Sequence, residues 1–339
     1  MNTGVVRRRS TRVWFPQRIT ASKGARVRLA FPSSAREHHA VTVVIPCYNY
    51  GRYLREAVSF AFQQEHVAVR VVIVDDCSTD DSLLIARQIE ASDSRVSVIS
   101  HEHNKGHIHT YNDGLAVVGT EFFTLVSADD LIAPGALDRA VCLMEAFPRV
   151  GLVYGKVEVF DDDTVPEEQH RSQDGIWVIW RGGEWTRRIV HRGYNPIKSP
   201  EAVLRTQTLT QVGGYNPALP HSGDLEYWLR VAMAGWDVGQ IRRSTQAFYR
   251  VHGRNMHVQN FGTVENIEQK LGAFEVLSGD ARLHSQGTHT LVREALGAAQ
   301  GHLQRGNTVE ARPLLTFVID HGLETRERAV AISLLRSAR

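Results

Sequence analysis

At 339 residues, with 42% hydrophobic and 22% charged positions, the chain can bury a large core and reads as globular rather than fibrous. Its formal net charge of +2 is unevenly spread. Residues 1–37 carry nine Lys/Arg against Glu37 alone, so that segment is +8 and the remainder is +2 − 8, about −6, which excludes a basic nucleic-acid-binding body.

Residues 1–38 form a basic leader without apolar periodicity, expected to be a disordered arm with at most peripheral contact to an anionic membrane surface. The leader lacks a signal-peptide core, and no run approaches the roughly 18 to 20 apolar residues of a membrane helix. Cys47, Cys77 and Cys142 have no CxxC spacing and read as free thiols. A cytoplasmic protein, at most peripheral at the inner membrane face, is the expectation.

Val41 to Ile45 opens the ordered part as a strand stopped by Pro46, and Leu54, Ala57, Val58, Ala61 and Phe62 stripe one face of the helix that follows. Residues 69–74 make a second strand, and Ser78-Thr79-Asp80-Asp81 supplies N-cap residues and first-turn acids for a helix through Ile89. A third strand spans 96–99, a third helix runs near 107–118, a fourth strand covers 121–127, and Pro134 suits the first turn of a helix reaching Phe147. Strands alternating with helices of this length give βαβ units and a parallel sheet. Beyond Val150 the pattern loosens. Residues 151–160 read as a long strand or a strand pair, 161–175 as polar loop, 201–205 as a short strand, 224–234 as a helix and 246–251 as a strand. After about Gly262 the chain is helical, with a Gly306-Asn307 break between two Ala/Leu-rich segments of one helical hairpin, a packing appendage or dimer contact.

Acidic residues stand at the carboxyl ends of two of these strands, Asp75-Asp76 and Asp129-Asp130, where open α/β sheets bind ligands. Adjacent carboxylates repel, so such a pair calls for a cation or hydrogen-bond donors. The pattern points to a nucleotide or sugar-phosphate site with a divalent metal.

Six segments then carry a resemblance. Val43-Val44-Ile45-Pro46-Cys47-Tyr48-Asn49, Val74-Asp75-Asp76-Cys77-Ser78-Thr79-Asp80, Ser127-Ala128-Asp129-Asp130, Gly213-Gly214-Tyr215, Gly223-Asp224-Leu225-Glu226-Tyr227-Trp228-Leu229-Arg230 and Tyr249-Arg250-Val251-His252 follow in the order of family 2 glycosyltransferases. This resemblance covers about residues 41–255. It implies a GT-A fold: a Rossmann-like, mostly parallel central sheet flanked by helices, here spanning 39–260, with a nucleotide-binding half at 39–150 and an acceptor half at 151–260. Residues 261–339 would be a helical extension, through which a homodimer could form.

The resemblance further implies inverting transfer from a nucleotide diphosphate sugar to an acceptor hydroxyl on a glycan, lipid-linked or small molecule, in glycan or glycoconjugate biosynthesis, assisted by Mg²⁺ or Mn²⁺. Pro46, Tyr48, Asn49, Asp76, Asn104, Lys105, Gly106 and Asp129 would contact the nucleotide sugar, with Asp75 equally suited to satisfying the turn after it. Asp129, Asp130 and His252 would hold the metal, His257 being a poorer candidate, and Asp224 would be the catalytic base. Ser127 stands where the family has the first Asp of its metal motif, and Gly223 where it has Glu before the base. His101, His103, His107 and His109 either bind a transition metal or simply flank the pocket, and Trp228 suits a core better than a sugar platform. Gln240-Ile241-Arg242-Arg243 lacks the Trp of processive members, which implies single addition. The rival readings are a silent nucleotide-sugar binder, motivated by Ser127 and Gly223, and a GT-A-like nucleotidyltransferase, which would need a basic Gly-rich loop after the first strand.

Overall fold

The computed structural model describes residues 25–30, 39–162, 164, 166, 175–252 and 263–337. Four β-branched runs build the parallel half of the sheet: β2 (Ala40–Cys47), β3 (Ala68–Asp75), β4 (Val96–Ser100) and β5 (Phe122–Leu125). β2 pairs in parallel with β3 and β5, and β3 with β4. Alternation along β2 sends Val41, Val43 and Ile45 into one core and Val44 into another, so this inner strand is buried on both faces, as the interior of a parallel sheet requires.

The helices α1 (Gly51–Ala61), α2 (Ser82–Ser92) and α3 (His107–Ala116) are the crossovers between these strands, and α4 (Ala136–Ala146) leads on from them. α3 approaches β2 so closely that a Cβ on Gly114 would lie 2.4 Å from Val44 Cγ1, and only glycine permits that contact.

Downstream, β6 (Leu131–Ile132), β7 (Val150–Asp161), β8 (Gly175–Trp180), β9 (Val203–Arg205) and β10 (Asp237–Val251) extend the same sheet. Among the described residues the path runs β1-β8-β10-β7-β9-β5-β2-β3-β4, with β6 against β10 and β1 being Ala25–Ala30. β9 runs antiparallel to both β5 and β7, while β7 and β10 are parallel. The helices α5 (Gly182–Arg192), α6 (Thr206–Val212) and α7 (Gly223–Met233) complete this half.

Two expectations change. The leader is not wholly an arm, because β1 pairs with β8; Val27 and Leu29 alternating with Arg26 and Arg28 supply the strand period. Residues 176–192, to which the sequence pattern assigned no element, hold most of β8, built on Ile176-Trp177-Val178-Ile179-Trp180, and α5. The tail is more than one hairpin: α8 (Val264–Phe274), α9 (Ala281–Gln304), α10 (Thr308–His321) and α11 (Thr325–Ser337) follow, with Asn307 capping α10 at the foreseen break. Ile267, Phe274, Leu291, Leu315 and Val318 of these helices share one core with Trp185 and Trp228. Among the described residues no helix is long and apolar enough to cross a membrane.

Candidate active site

The carboxyl ends of β2, β3 and β5 open onto one cleft, and β10 ends beside it. Two residues in left-handed backbone, Asn49 (φ 59°) and Cys77 (φ 59°), turn the chain sharply after β2 and β3. Asn49 Oδ1 accepts the N–H of Thr79 at 2.7 Å, and the Asn49 N–H donates to Ser78 Oγ at 3.0 Å, tying the two loops together. Tyr48 stays 45% exposed just past the end of β2, two residues after Pro46.

Of the first acidic pair, Asp76 is already satisfied by the chain. Its Oδ1 accepts the Lys105 N–H at 2.8 Å and lies 2.7 Å from His101 Nδ1, while Oδ2 accepts the Gly106 N–H at 2.9 Å. Burial opposes ionisation of Asp76, but these donors outweigh it and hold the carboxyl below its usual range. Asp75 is 1% exposed; its Oδ2 takes the Ser78 N–H at 3.1 Å, and its Oδ1 is buried with no hydrogen-bond donor among the described residues. Asp75 Oδ1 is thus the one oxygen of this pair without a donor, while Asp76 is set in place by the loop that follows β4.

The 101–106 loop closes the cleft. Gly106 takes φ 83° and begins α3, and Asn104 Oδ1 accepts its N–H at 3.1 Å. Lys105 turns outward: its Nζ sits 2.8 Å from Asp113 Oδ2, which also lies 3.0 Å from His101 Nε2. The four histidines do not converge. His101 lies between Asp76 and Asp113, His107 Nε2 is 2.9 Å from the Pro220 carbonyl, and His103 and His109 are exposed.

Asp129 and Asp130 occupy the turn between β5 and β6. Because β6 pairs with the far half of β10, that strand delivers Arg250 and His252 to the same turn. His252 Nε2 is 2.9 Å from Asp129 Oδ2, and its ring stacks on Tyr53 (centroids 6.0 Å, 17°) with Tyr50 edge-on at 5.6 Å. Asp130 Oδ1 instead accepts the Arg250 N–H at 3.0 Å. Burial and the adjoining Asp129 charge push the Asp130 carboxyl well above its usual range. The Arg250 guanidinium, 4.4 Å above Tyr53 and 4.3 Å above Phe160, donates to the Asp129 carbonyl at 2.9 Å and pairs with Glu56 and Asp162.

A carboxylate and an imidazole facing each other are a donor set for Mg²⁺ or Mn²⁺, which needs few protein ligands when phosphate oxygens and water complete the shell. Among the described residues no three His, Cys, Asp or Glu side chains converge as a metal site, so Asp129 and His252 are the pair that fits. Asp130, expected as a further ligand, is directed to the β10 backbone, and His257 lies outside the described residues.

Asp224 sits in the first turn of α7. Ser199 Oγ donates to its Oδ2 and Tyr215 also hydrogen-bonds it; burial raises its carboxyl above the usual range, while these two bonds and nearby His107 pull it back. The partly buried Tyr111 phenol is raised by burial and then by the charges of Asp224, Asp129 and Asp130. Gly223 leaves a narrow space: a Cβ there would meet Ile108 Cδ1 at 3.3 Å and Tyr215 Cδ1 at 3.4 Å.

Against this geometry the comparisons are consistent. A profile of glycosyl transferase family 2 matches residues 42–208. The chain belongs to glycosyl transferase family 2. An uncharacterized glycosyltransferase of Haemophilus influenzae is 24% identical over 218 residues, 63% of this chain and 66% of that protein. Staphylococcus aureus TarS 1-349, solved with UDP-GlcNAc, superposes with a TM-score of 0.62 over 88% of this chain and 87% of its own at 18% identity. A mannosyltransferase from Pyrobaculum calidifontis, solved with GDP-Man and Mn²⁺, gives 0.52 over 88% and 84% at 19% identity. These likenesses establish the GT-A fold.

Within this glycosyltransferase several neighbours of the cleft escaped the sequence reading. Arg250 stood inside a quoted motif without a role, and Ser199, Glu201 and Tyr215 meet Asp224 only through tertiary contact. Glu226 binds Arg230 at 2.8 and 2.7 Å, and Arg230 in turn donates to the carbonyls of Val212 and Gly214, so this pair anchors the Gly213-Gly214 turn. Trp228 is 1% exposed in the core. Burial pushes the Cys47 thiol up to about 12, which removes it as a nucleophile near neutral pH.

Proposed function

We propose that the protein transfers a sugar from a nucleotide diphosphate donor to an acceptor hydroxyl with inversion, aided by Mg²⁺ or Mn²⁺, one sugar per acceptor. The observation that carries this reading is the facing pair Asp129 and His252 beyond β5, beside Asp76 and the donor loop that folds over the end of β3. Tyr48 would stack on the base, and Asp76 would accept from the base or ribose beside the loop of Asn104, Lys105 and Gly106 that holds it in place. Asp129 and His252 would hold the divalent ion with donor phosphate oxygens. Its chemistry is to offset charge on the departing diphosphate.

Asp224 then has the base's task of taking the acceptor proton as that oxygen attacks the anomeric carbon. Its raised pKa suits a base working near neutral pH, and the N-terminal turn of α7 favours its ionised form. Single addition rests on Gln240 to Arg243, which lack the Trp of processive members.

The test measures release of UDP from UDP-GlcNAc and of GDP from GDP-Man with Mn²⁺, beside the Asp224→Asn variant. Turnover should fall roughly 10² to 10⁴-fold with donor affinity and melting temperature retained. An Asp224→Asn protein turning over at the wild-type rate would remove Asp224 from the reaction. Donor binding without any diphosphate release would favour the silent binder.

A further inference from the structure

The turn from Lys198 to Glu201 is strained where it meets α7. Ser199 has φ 47°, a left-handed conformation unfavourable for a non-glycine residue, and it precedes Pro200, which disfavours helical backbone in the residue before it. The turn is nonetheless held firmly. The Ala202 N–H donates to the Ser199 carbonyl at 2.8 Å, the Lys198 N–H donates to Glu201 Oε1 at 2.8 Å, and Lys198 Nζ lies 5.2 Å from the centre of the Tyr249 ring on β10. The product of this conformation is a single side-chain contact, the Ser199 hydroxyl on Asp224 Oδ2.

We propose that Ser199 is a positioning residue for the base: the left-handed turn exists to set its hydroxyl on one Asp224 oxygen and so orient the carboxylate toward the acceptor. This rests on Asp224 being the base. The alternative, a serine that merely satisfies a helix-terminal acid, leaves the strain unexplained, because an unstrained backbone with solvent at Asp224 would serve that end as well. A carboxylate free to rotate at a half-buried helix terminus would present the wrong lone pair much of the time, and small misplacements of a reacting group are costly to rate.

The groups that face Asp224 are His107 and Tyr111 from α3, Tyr215 from the loop before α7, and Glu201 from the same turn as Ser199. Removing the Ser199 hydroxyl takes away one donor to the ionised form, so the Asp224 carboxyl should titrate at higher pH. Two variants separate position from folding. Ser199→Ala keeps the strained φ, whereas Ser199→Gly relieves it, since glycine adopts φ near +47° freely.

Both variants should lose about 10 to 100-fold in turnover with donor KM unchanged, and Ser199→Gly should melt no lower than wild type. Carbon-13 NMR of the Asp side chains, with the Asp224 signal assigned by Asp224→Asn, should show its midpoint move up in both, a readout independent of the donor used. A Ser199→Gly protein with wild-type turnover and an unmoved Asp224 midpoint overturns the proposal. Loss of turnover in Asp224→Asn but not in Ser199→Gly overturns the Ser199 role alone; loss in neither overturns the assignment of the base beneath it.

Discussion

Glu201 offers the sharpest link between this geometry and a bulk measurement. It is 3% exposed just before β9; one oxygen takes the Lys198 N–H and the other is buried without a donor among the described residues. Burial first, and the Asp224 charge after it, raise its pKa from the ordinary 4.5 to about 7, against the pull of the backbone donors. A raised pKa means the folded chain keeps the proton where the unfolded chain has lost it. The stabilisation is thus fully present below pH 4.5, declines as pH rises, and is gone above 7. At about 1.36 kcal/mol per pH unit, the gap from 4.5 to 7 amounts to about 3 kcal/mol. Glu201→Gln removes the titration while its amide oxygen still accepts the Lys198 N–H. Denaturant unfolding at a series of pH values from 4.5 to 8 should find the variant gaining about 3 kcal/mol on wild type across that window. A difference that stays flat with pH would refute the buried, proton-holding Glu201.

Two further outcomes follow from the turn after β5. Asp129→Ala should abolish most of the Mn²⁺-dependent gain in UDP or GDP affinity measured by calorimetry, while Asp130→Asn, whose amide oxygen still accepts the Arg250 N–H, should keep it; the reverse ranking would mean that the ion sits on Asp130. Arg250→Met should destabilise by about 2 to 3 kcal/mol in denaturant unfolding, short of the full cost of breaking a buried pair because Asp162 is 44% exposed. A loss below about 0.5 kcal/mol, the range of ordinary surface changes, would show that Arg250 is not the cradle of the turn.

Much of this was legible in the chain itself. The runs at Val41 to Ile45 and Val71 to Val74 announced buried parallel strands, and His252 could be paired with Asp129 because both belonged to motifs in a known order. What stayed hidden depends on which donors fold back. Asp75 and Asp76 differ only in that residues 101–106 return over β3 and satisfy Asp76, a contact about thirty positions away. Lys105 looked free for phosphate, yet Asp113 takes its ammonium two turns along the loop and helix that follow. Ser199 lay in a stretch without motif or period and Glu201 opened a short strand with no role attached, and only the pairing of β9 between β5 and β7 brings them toward α7. Trp177 and Trp180 signalled a strand that the polar residues before them obscured.

The two cores on opposite faces of the sheet divide the labour of staying folded. One joins α1, α2 and α4 to the nucleotide side, while the other joins α7 to α8 and the helices after it. The helix that bears Asp224 therefore stands on a foundation made by α8 and the helices after it. Cooperative units of a protein open independently when their buried contacts do not overlap. Loosening the C-terminal helices would accordingly dismantle the acid at α7 first and leave the Tyr48 and Asp75 end intact, giving a protein that still grips a nucleotide but has nowhere to put the acceptor's proton.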